Sequence, residues 1–195
     1  GKNVGLTLCK QFKTGDNYLH AFITNKIIES SYVSNRTSEI TSVFPLYLYP
    51  DLNGQQKIGQ TTERTPNLKI EIVNQIAEHL DLTFINEKET SKDTFAPIDI
   101  LDYIYAVLHS PTYREKYKEF LKIDFPRVPY PNDKETFWQL ANLGSQIRQI
   151  HLLESPTVEK YITQYPIDGD NIVTKPKYQD GKVYINDTQF FNNVP

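Results

Sequence analysis

The sequence has 195 residues, of which 38% are hydrophobic and 23% are charged, a composition typical of a folded domain rather than a disordered chain. Its net charge of −3 excludes the strongly basic profile that is usual in a free-standing nucleic-acid binder. The single cysteine, Cys9, excludes an intrachain disulfide, and the four histidines are too scattered for a zinc-ligand spacing.

The apolar runs of the sequence are short. None approaches the about 20 residues that a membrane-spanning helix needs, and the start, GKNVGLTLCK, lacks the layout of a secretory signal. We therefore expect a cytoplasmic protein with no membrane partner. The sequence contains no methionine, even at position 1, so we also expect a fragment of a longer polypeptide.

Strand-like runs dominate the first third of the chain. Residues 4–9, 19–24 and 43–49 are rich in β-branched and aromatic side chains, which favour strands. We expect these runs to form a small mixed or antiparallel sheet within residues 1–65. The intervening segments are polar and predict loops, at residues 10–17, 34–38 and 52–64.

Helical periodicity dominates residues 66–155. One predicted helix starts at an Asn67 cap, a second has Pro97 in its first turn, and a third is capped by Ser110. The third is expected to extend through Leu121, with the basic side chains Arg114, Lys116, Lys118 and Lys122 on its solvent face.

The prolines that follow predict a change of conformation. Pro126, Pro129 and Pro131 forbid a helix, so this segment should form an extended strap. A long helix should then begin near residues 132–133, with Gly144 allowing a close approach and four apolar side chains buried: Phe137, Leu140, Ile147 and Ile150.

The last part of the chain, residues 156–195, predicts a short helix at residues 157–163 and a β-hairpin. Asp180 and Gly181 lie between two alternating runs, a strong signal for a two-residue hairpin turn. The order of strands, helices and hairpin predicts one α+β domain over residues 1–195.

The common catalytic motifs are missing from the sequence, including a phosphate loop, a nucleophile elbow and the Asp/Asn-Pro-Pro-Tyr stretch of amino-methyltransferases. A metal-dependent nuclease could use Asp51, Asp180 and Lys182, but a hairpin turn explains the last two better. Cys9 lies within an apolar strand, which favours a buried structural thiol.

Four stretches carry a resemblance to a known family. They are DILDYIYAVLHSPTYREKYKEFLKIDFPRVP (99–129), SNRTSEITSVFPLYLYP (34–50), ERTPNL (63–68) and FWQLANLG (137–144). Taken in their order along the chain, they resemble the C-terminal target-recognition region of type ISP restriction-modification enzymes. In that family one polypeptide carries a nuclease, a helicase-like motor, an adenine-specific DNA methyltransferase and this region.

The resemblance implies a non-catalytic module that recognises duplex DNA and packs against the methyltransferase domain of the same polypeptide. No cofactor is expected in the chain itself, whereas S-adenosylmethionine is expected in the parent's methyltransferase domain. The expected DNA-binding residues combine polar side chains of the loops with basic side chains of the helical region. They are Lys10, Gln11, Lys13, Asn35, Arg36, Thr37, Ser38, Arg64, Arg114, Lys118 and Arg127.

Two other functions remain open at this point. One is the metal-dependent nuclease described above. The other is a protein-docking domain for a methyltransferase core, in which Tyr113, Tyr117 and Trp138 would form the interface.

Overall fold

The computed structural model describes residues 3–13, 17–33, 39–50, 63–91 and 93–195. The chain forms two compact units, Gly1–Leu153 and Glu154–Pro195. The first combines small sheets with helices and the second is built around antiparallel strands, so the predicted α+β class is confirmed. Among the described residues, no helix has the length and apolar character needed to cross a membrane.

The first unit begins with a three-stranded antiparallel sheet. Its strands are β1 (Gly5–Cys9), β2 (Ala21–Thr24) and β3 (Thr41–Pro45), in the order β2-β1-β3. The central strand β1 is buried along its whole length. Leu6 and Leu8 face the hydrophobic core, and on the other side the Thr7 hydroxyl lies 2.8 Å from the Tyr32 hydroxyl.

Two short strand pairs extend this region. Strand β4 (Tyr47–Leu48) pairs with β5 (Thr65–Pro66) in antiparallel orientation, and β6 (Thr83–Phe84) pairs with β7 (Thr94–Phe95) in parallel. The strand expected over residues 43–49 is therefore divided. Leu46 lies at the division, where its backbone N–H donates to the Val4 carbonyl at 2.8 Å.

The helices of the first unit carry most of its core. They are α1 (Ile70–Leu80), α2 (Pro97–His109), α3 (Pro111–Lys116), α4 (Lys118–Leu121) and α5 (Lys134–His151). The prediction that Asn67 caps α1 is wrong. The cap position is Lys69, and the Asn67 side-chain amide donates to the Pro45 carbonyl at 2.9 Å instead.

The other predicted helix starts are confirmed. Pro97 lies in the first turn of α2, where its missing N–H is not needed. The Ser110 hydroxyl accepts from the Tyr113 backbone N–H at 3.3 Å, and Asp133 accepts from the Thr136 N–H at 2.7 Å. The single helix expected after Ser110 is wrong, because the chain is divided into α3 and α4 at Tyr117 (φ −107°, ψ 15°).

Helices α2 and α5 pack closely together. A Cβ on Gly144 would lie 2.6 Å from the carbonyl carbon of Asp102, so only glycine fits and the predicted close approach is confirmed. Phe137 is buried in this contact, and Leu140 and Ile147 are partly buried against the core. The prediction that Ile150 is buried is wrong, since its side chain is 40% exposed.

The proline-rich strap after α4, residues 125–131, contains no helix, as predicted. Buried tyrosines hold it by its carbonyl groups. The Tyr103 hydroxyl donates to the Pro129 carbonyl at 3.0 Å, and the Tyr113 hydroxyl donates to the Arg127 carbonyl at 2.9 Å. Proline has a backbone carbonyl but no N–H donor. A proline-rich segment can therefore be positioned by side chains that donate to its carbonyl groups.

The second unit contains the strands β8 (Lys177–Gln179), β9 (Lys182–Tyr184) and β10 (Phe190–Phe191), in the order β10-β9-β8. The predicted hairpin is confirmed. Asp180 (φ 51°) and Gly181 (φ 71°) form its two-residue turn, in which both residues need a positive φ. The helix expected over residues 157–163 is limited to a 3-10 helix, Pro156–Glu159.

Candidate nucleic-acid interface

Two of the predicted recognition loops begin or end at the same end of the first sheet, where β1 ends and β3 begins. Leu8 of β1 pairs with Ala21, the first residue of β2, and Cys9 pairs with Thr41, the first residue of β3. The connection that includes residues 10–17 therefore leaves β1 where the connection that includes residues 34–38 enters β3. The antiparallel topology brings these two loop bases together.

A buried carboxylate ties the two loop bases to each other. Glu39, which follows residues 34–38, is 3% exposed, and its Oε1 accepts from the Lys13 backbone N–H at 2.7 Å. Its Oε2 lies 3.9 Å from Nε2 of His20. Burial lowers the pKa of His20, and the charge of Glu39 only partly opposes this. The loop bases are thus held by one hydrogen-bonded carboxylate.

The polar side chains that follow β1 are exposed. Lys10, Gln11 and Lys13 all lie at the surface, and the Gln11 amide donates to the Ile123 carbonyl at 3.3 Å. Their predicted neighbours in the second loop, Asn35, Arg36, Thr37 and Ser38, lie outside the described residues.

The basic side chains of α3 and α4 lie beside this end of the sheet. Arg114 and Lys118 line one surface cleft together with Pro111, Glu115 and residues 17–19. Phe12, between Gln11 and Lys13, contacts Tyr18 with ring centres 5.9 Å apart. We call this area the loop-end surface; it comprises residues 10–13 and 17–19 with Arg114 and Lys118.

The two arginines of this region differ in their surroundings. Arg127, on the strap, has a side chain that is 81% exposed, with Asp124 at 4.0 Å and the Phe120 ring centre 5.1 Å from its guanidinium carbon. The prediction that Arg114 lies on a solvent face is wrong, because it is half-buried and its Nε donates to the Leu108 carbonyl at 2.6 Å. Arg114 therefore also closes the C-terminal end of α2.

The third predicted loop has its anchors elsewhere. Residues 52–64 lie between β4 and β5, and the side-chain amide of Asn3 donates to the Tyr47 carbonyl of β4 at 2.8 Å. Asn3 precedes β1, so this anchor is at the opposite end of a strand of about 15 Å. Within the described residues, the structure does not bring this loop's anchors to the loop-end surface.

Arg64 belongs to that opposite end. Its Nε and Nη2 donate to the Glu87 carboxylate at 2.8 and 2.5 Å, and its guanidinium carbon lies 3.8 Å from the centre of the Tyr47 ring. The hydrogen bonds with Glu87 and Tyr49 raise the pKa of Arg64. This arginine is engaged within the chain.

The residues named for the two competing functions can be followed only in part, within the described residues. Asp180 lies in the hairpin turn and the Lys182 ammonium is 4.5 Å from the Phe190 ring centre, whereas Asp51 lies outside the described residues. For the docking function, Tyr113 is 7% exposed, and Tyr117 and Trp138 pack against the core. One of these three rings is therefore buried, and the other two are only partly exposed.

One polar cluster beside Arg114 was not predicted from the sequence. The Tyr105 hydroxyl lies 2.7 Å from Nδ1 of His151, and Nδ1 of His109 lies 2.9 Å from the Tyr105 carbonyl oxygen. Tyr105 and His109 are four residues apart on α2, a spacing that places them on one helix face. His151 is on α5, so no local pattern could have joined it to them.

Comparison with known families decides the identity of the domain. The family described as the Type ISP C-terminal specificity domain matches residues 1–195. The chain belongs to this family. The resemblance seen in the four sequence stretches is therefore confirmed. A search of curated proteins gave no match.

Solved structures share the fold of this Type ISP specificity domain. They include the ATP-dependent Type ISP restriction-modification enzyme LlaBIII bound to DNA, with 20% identity and a TM-score of 0.70. The DrdV-DNA complex has 23% identity and a TM-score of 0.65. A nuclease-deletion mutant of the Type ISP enzyme LlaGI, in complex with a DNA substrate mimic, has 19% identity and a TM-score of 0.61.

The matched proteins are much longer than this chain. All of its residues are covered in each comparison, but it spans only 12%, 18% and 15% of LlaBIII, DrdV and the LlaGI mutant, respectively. The Type ISP specificity domain is thus one part of those large chains.

Proposed function

We propose that this specificity domain recognises a base sequence in duplex DNA on behalf of a restriction-modification enzyme, without catalysing a reaction itself. One observation carries the proposal: the loops that contain residues 10–17 and 34–38 share one end of a rigid sheet, beside basic side chains. The similar structures of LlaBIII and DrdV are both complexes with DNA, which supports the same partner here.

The two kinds of side chain at the loop-end surface suit two tasks. The exposed cations Lys10 and Lys13 and the partly exposed Lys118 suit phosphate contacts, which position a protein on DNA. Amide and guanidinium side chains such as Gln11 and Arg36 suit hydrogen bonds to base edges in the major groove. The rigid base formed by Glu39 would keep both sets in register.

The near-neutral net charge of the domain is consistent with some of the phosphate contacts being made by other domains of the parent. With a charge of −3, the domain alone would gain little from non-specific attraction to DNA. We propose that the parent polypeptide supplies further phosphate contacts through its methyltransferase domain. That domain would be adenine-specific and would bind S-adenosylmethionine, so the specificity domain itself needs no cofactor.

The test is a loop exchange in the full-length parent enzyme. Residues 10–17 and 34–38 are replaced together by the corresponding loops of a family member with a different target, and the methylated genomic sites are sequenced. We expect the methylated sequence to change toward the donor's target. A matched variant exchanges residues 52–64, whose anchors lie at the opposite end of the sheet, and separates this loop's role from that of the other two.

Two results would contradict the proposal. Methylation of the original sites at the original rate after the first exchange would show that these loops do not read bases. Magnesium-dependent cleavage by the isolated domain, abolished by Asp180→Ala, would instead identify it as a nuclease. If the exchanged enzyme no longer methylates DNA, its binding to random-sequence duplexes is measured instead. A changed sequence preference in that binding would still show that the exchanged loops recognise bases.

A further inference from the structure

A second binding feature lies at the margin of the loop-end surface. It is a surface cavity of about 480 Å³. Leu19 and Phe22 supply apolar wall, and both are exposed, at 61% and 36% of their surface. The polar part is formed by Arg114, His109 and His151. Three nitrogen-bearing side chains from three different helices thus line one opening.

Arg114 brings an uncompensated charge to this cavity. Its only hydrogen bond among the described residues is to the Leu108 carbonyl, and no carboxylate of that part of the chain forms an ion pair with it. Burial lowers the pKa of Arg114, which reports the cost of holding this charge away from water. A half-buried guanidinium with one carbonyl partner retains donors for an anion.

The histidines are held so that they can add to this charge. Nδ1 of His109 faces the Tyr105 carbonyl, which can only accept, so Nδ1 carries the proton of the neutral ring. Its Nε2 has no hydrogen-bond partner among the described residues and can take up a second proton. His151 is placed by the Tyr105 hydroxyl at 2.7 Å, and the two imidazole centres are 5.4 Å apart.

We propose that this cavity binds a phosphate group of the DNA backbone, held by Arg114 together with the imidazoles of His109 and His151. The proposal rests on the proposed function, since it identifies a backbone contact at the edge of the recognition surface. The cavity adjoins that surface because Arg114 and Leu19 line both this cavity and the cleft beside Lys118. The apolar wall would face the deoxyribose next to the phosphate.

The surroundings of His109 make phosphate binding in this cavity dependent on pH. In the free domain, burial lowers the pKa of His109, the hydrogen bond to the Tyr105 carbonyl partly opposes this, and the charges of Arg114 and His151 lower it further. An anion among these groups opposes both effects, so its binding should be accompanied by proton uptake. Among the described residues, the titratable groups around the site are Tyr105 and His109 from α2, Arg114 from α3, His151 from α5, and Tyr18, His20, Tyr32 and Glu39 from the sheet side. Glu115 of α3 and Lys118 of α4 line the adjoining cleft.

The first test follows the imidazole protons of the 195-residue chain by NMR. The Cε1–H signals of His109 and His151 are titrated with pH alone, with inorganic phosphate, and with a random-sequence duplex. We expect both probes to raise the pKa of His109 by about half a unit or more. Arg114→Met should abolish the shift, whereas Lys116→Met, an exposed cation on the same helix outside the cavity, should leave it intact.

The second test measures duplex affinity against salt and pH. Arg114→Met should weaken binding about tenfold, as expected for a charge-assisted hydrogen bond. It should also lower the slope of log K against log salt concentration by about 0.9, the value for one phosphate contact. Wild-type affinity should rise as the pH falls through the titration of His109. The variant His109→Gln with His151→Gln keeps polar side chains and should lose this pH dependence.

The outcomes separate the possible failures. Imidazole signals that respond to neither probe, in a folded wild-type chain, would overturn the phosphate site. A response to inorganic phosphate but not to the duplex would assign the cavity to free phosphate and overturn the backbone contact. If Arg114→Met unfolds the chain, the double histidine variant decides the question. Absence of any duplex binding by the parent enzyme would instead contradict the proposed function, and the phosphate titration would still be informative.

Discussion

Arg148 of α5 and Asp102 of α2 form a two-pronged ion pair across the helix contact that supports the sheet. Nε of Arg148 donates to Oδ1 of Asp102 at 2.6 Å, and Nη2 donates to Oδ2 at 3.1 Å. Their side chains are 13% and 5% exposed. Nη2 of Arg148 also lies 3.2 Å from the Ser145 hydroxyl, which helps to orient the guanidinium.

Removing the cation of this pair should be strongly destabilising. In Arg148→Met the buried Asp102 carboxylate loses its partner, and we expect the free energy of unfolding to fall by about 3 to 5 kcal/mol near neutral pH. Urea unfolding followed by circular dichroism measures this. The double variant with Asp102→Asn should recover most of the loss, because it leaves no unpaired charge. A double variant as unstable as the single one would show that packing, not charge, is responsible.

The same pair predicts a pH dependence. Burial raises the pKa of Asp102 above its ordinary value, although Arg148 opposes the effect. The native state therefore binds the Asp102 proton more tightly than the unfolded chain does. The contribution of the protonated Asp102 carboxyl to stability is present in acid and is lost as the pH rises through the raised pKa. The deficit of Arg148→Met should shrink as pH is lowered from about 7 to about 4. A deficit independent of pH would contradict this assignment.

Gly144 should not tolerate even a methyl group. Alanine is the better helix former by about 1 kcal/mol, so helix propensity alone predicts that Gly144→Ala is stabilising. The new Cβ would lie 2.6 Å from the Asp102 carbonyl carbon and would force α2 and α5 apart. We expect a net loss of about 2 kcal/mol or more, as in other overpacked cores. The exposed Asn142→Ala on the same helix should change stability little in the same thermal unfolding assay.

Two buried tyrosines should respond in opposite ways to loss of the hydroxyl. Tyr18 is 2% exposed, and its hydroxyl has no hydrogen-bond partner among the described residues. Tyr103 is 6% exposed and donates to the Pro129 carbonyl at 3.0 Å. We expect Tyr18→Phe to stabilise the domain by up to about 1 kcal/mol and Tyr103→Phe to destabilise it by about 1 kcal/mol. A loss of stability in both variants, measured by urea unfolding, would reveal a hidden partner of Tyr18.

Local signals in the sequence were sufficient where the structure uses local interactions. Ser110 and Asp133 cap helices through the backbone three residues ahead, and Asp180 with Gly181 turns the hairpin. Each needs only neighbouring residues. Asn67 has the same chemistry, but its amide is taken by the Pro45 carbonyl, which is distant in sequence. A capping residue can therefore be recognised only when no tertiary acceptor competes for it.

In the candidate interface too, local sequence signals predict residue types but not which residues come together. The residue types of the loops could be read from the sequence, whereas the grouping of the loops depends on strand register. The register places the end of β1 beside the start of β3, and the anchors of residues 52–64 lie at the other end of β1. Helical periodicity placed Arg114 on a solvent face. The end of α2 offers it a carbonyl acceptor, and His151 is brought beside it by the packing of α5. Neither relationship leaves a local sequence pattern.

Charge at the loop-end surface should determine the salt dependence of DNA binding by the parent enzyme. Lys10 and Lys13 are exposed beside the loop bases, so Lys10→Gln with Lys13→Gln should reduce the slope of log K against log salt concentration by about 0.9 for each phosphate that these lysines neutralise. Lys26 and Lys69 are also exposed, and Lys26 follows Thr24, which pairs with Gly5 at the opposite end of the sheet. The matched variant Lys26→Gln with Lys69→Gln should keep the wild-type slope. Since both variants remove the same net charge, equal slopes in a filter-binding titration would show that DNA does not contact the loop end of the sheet.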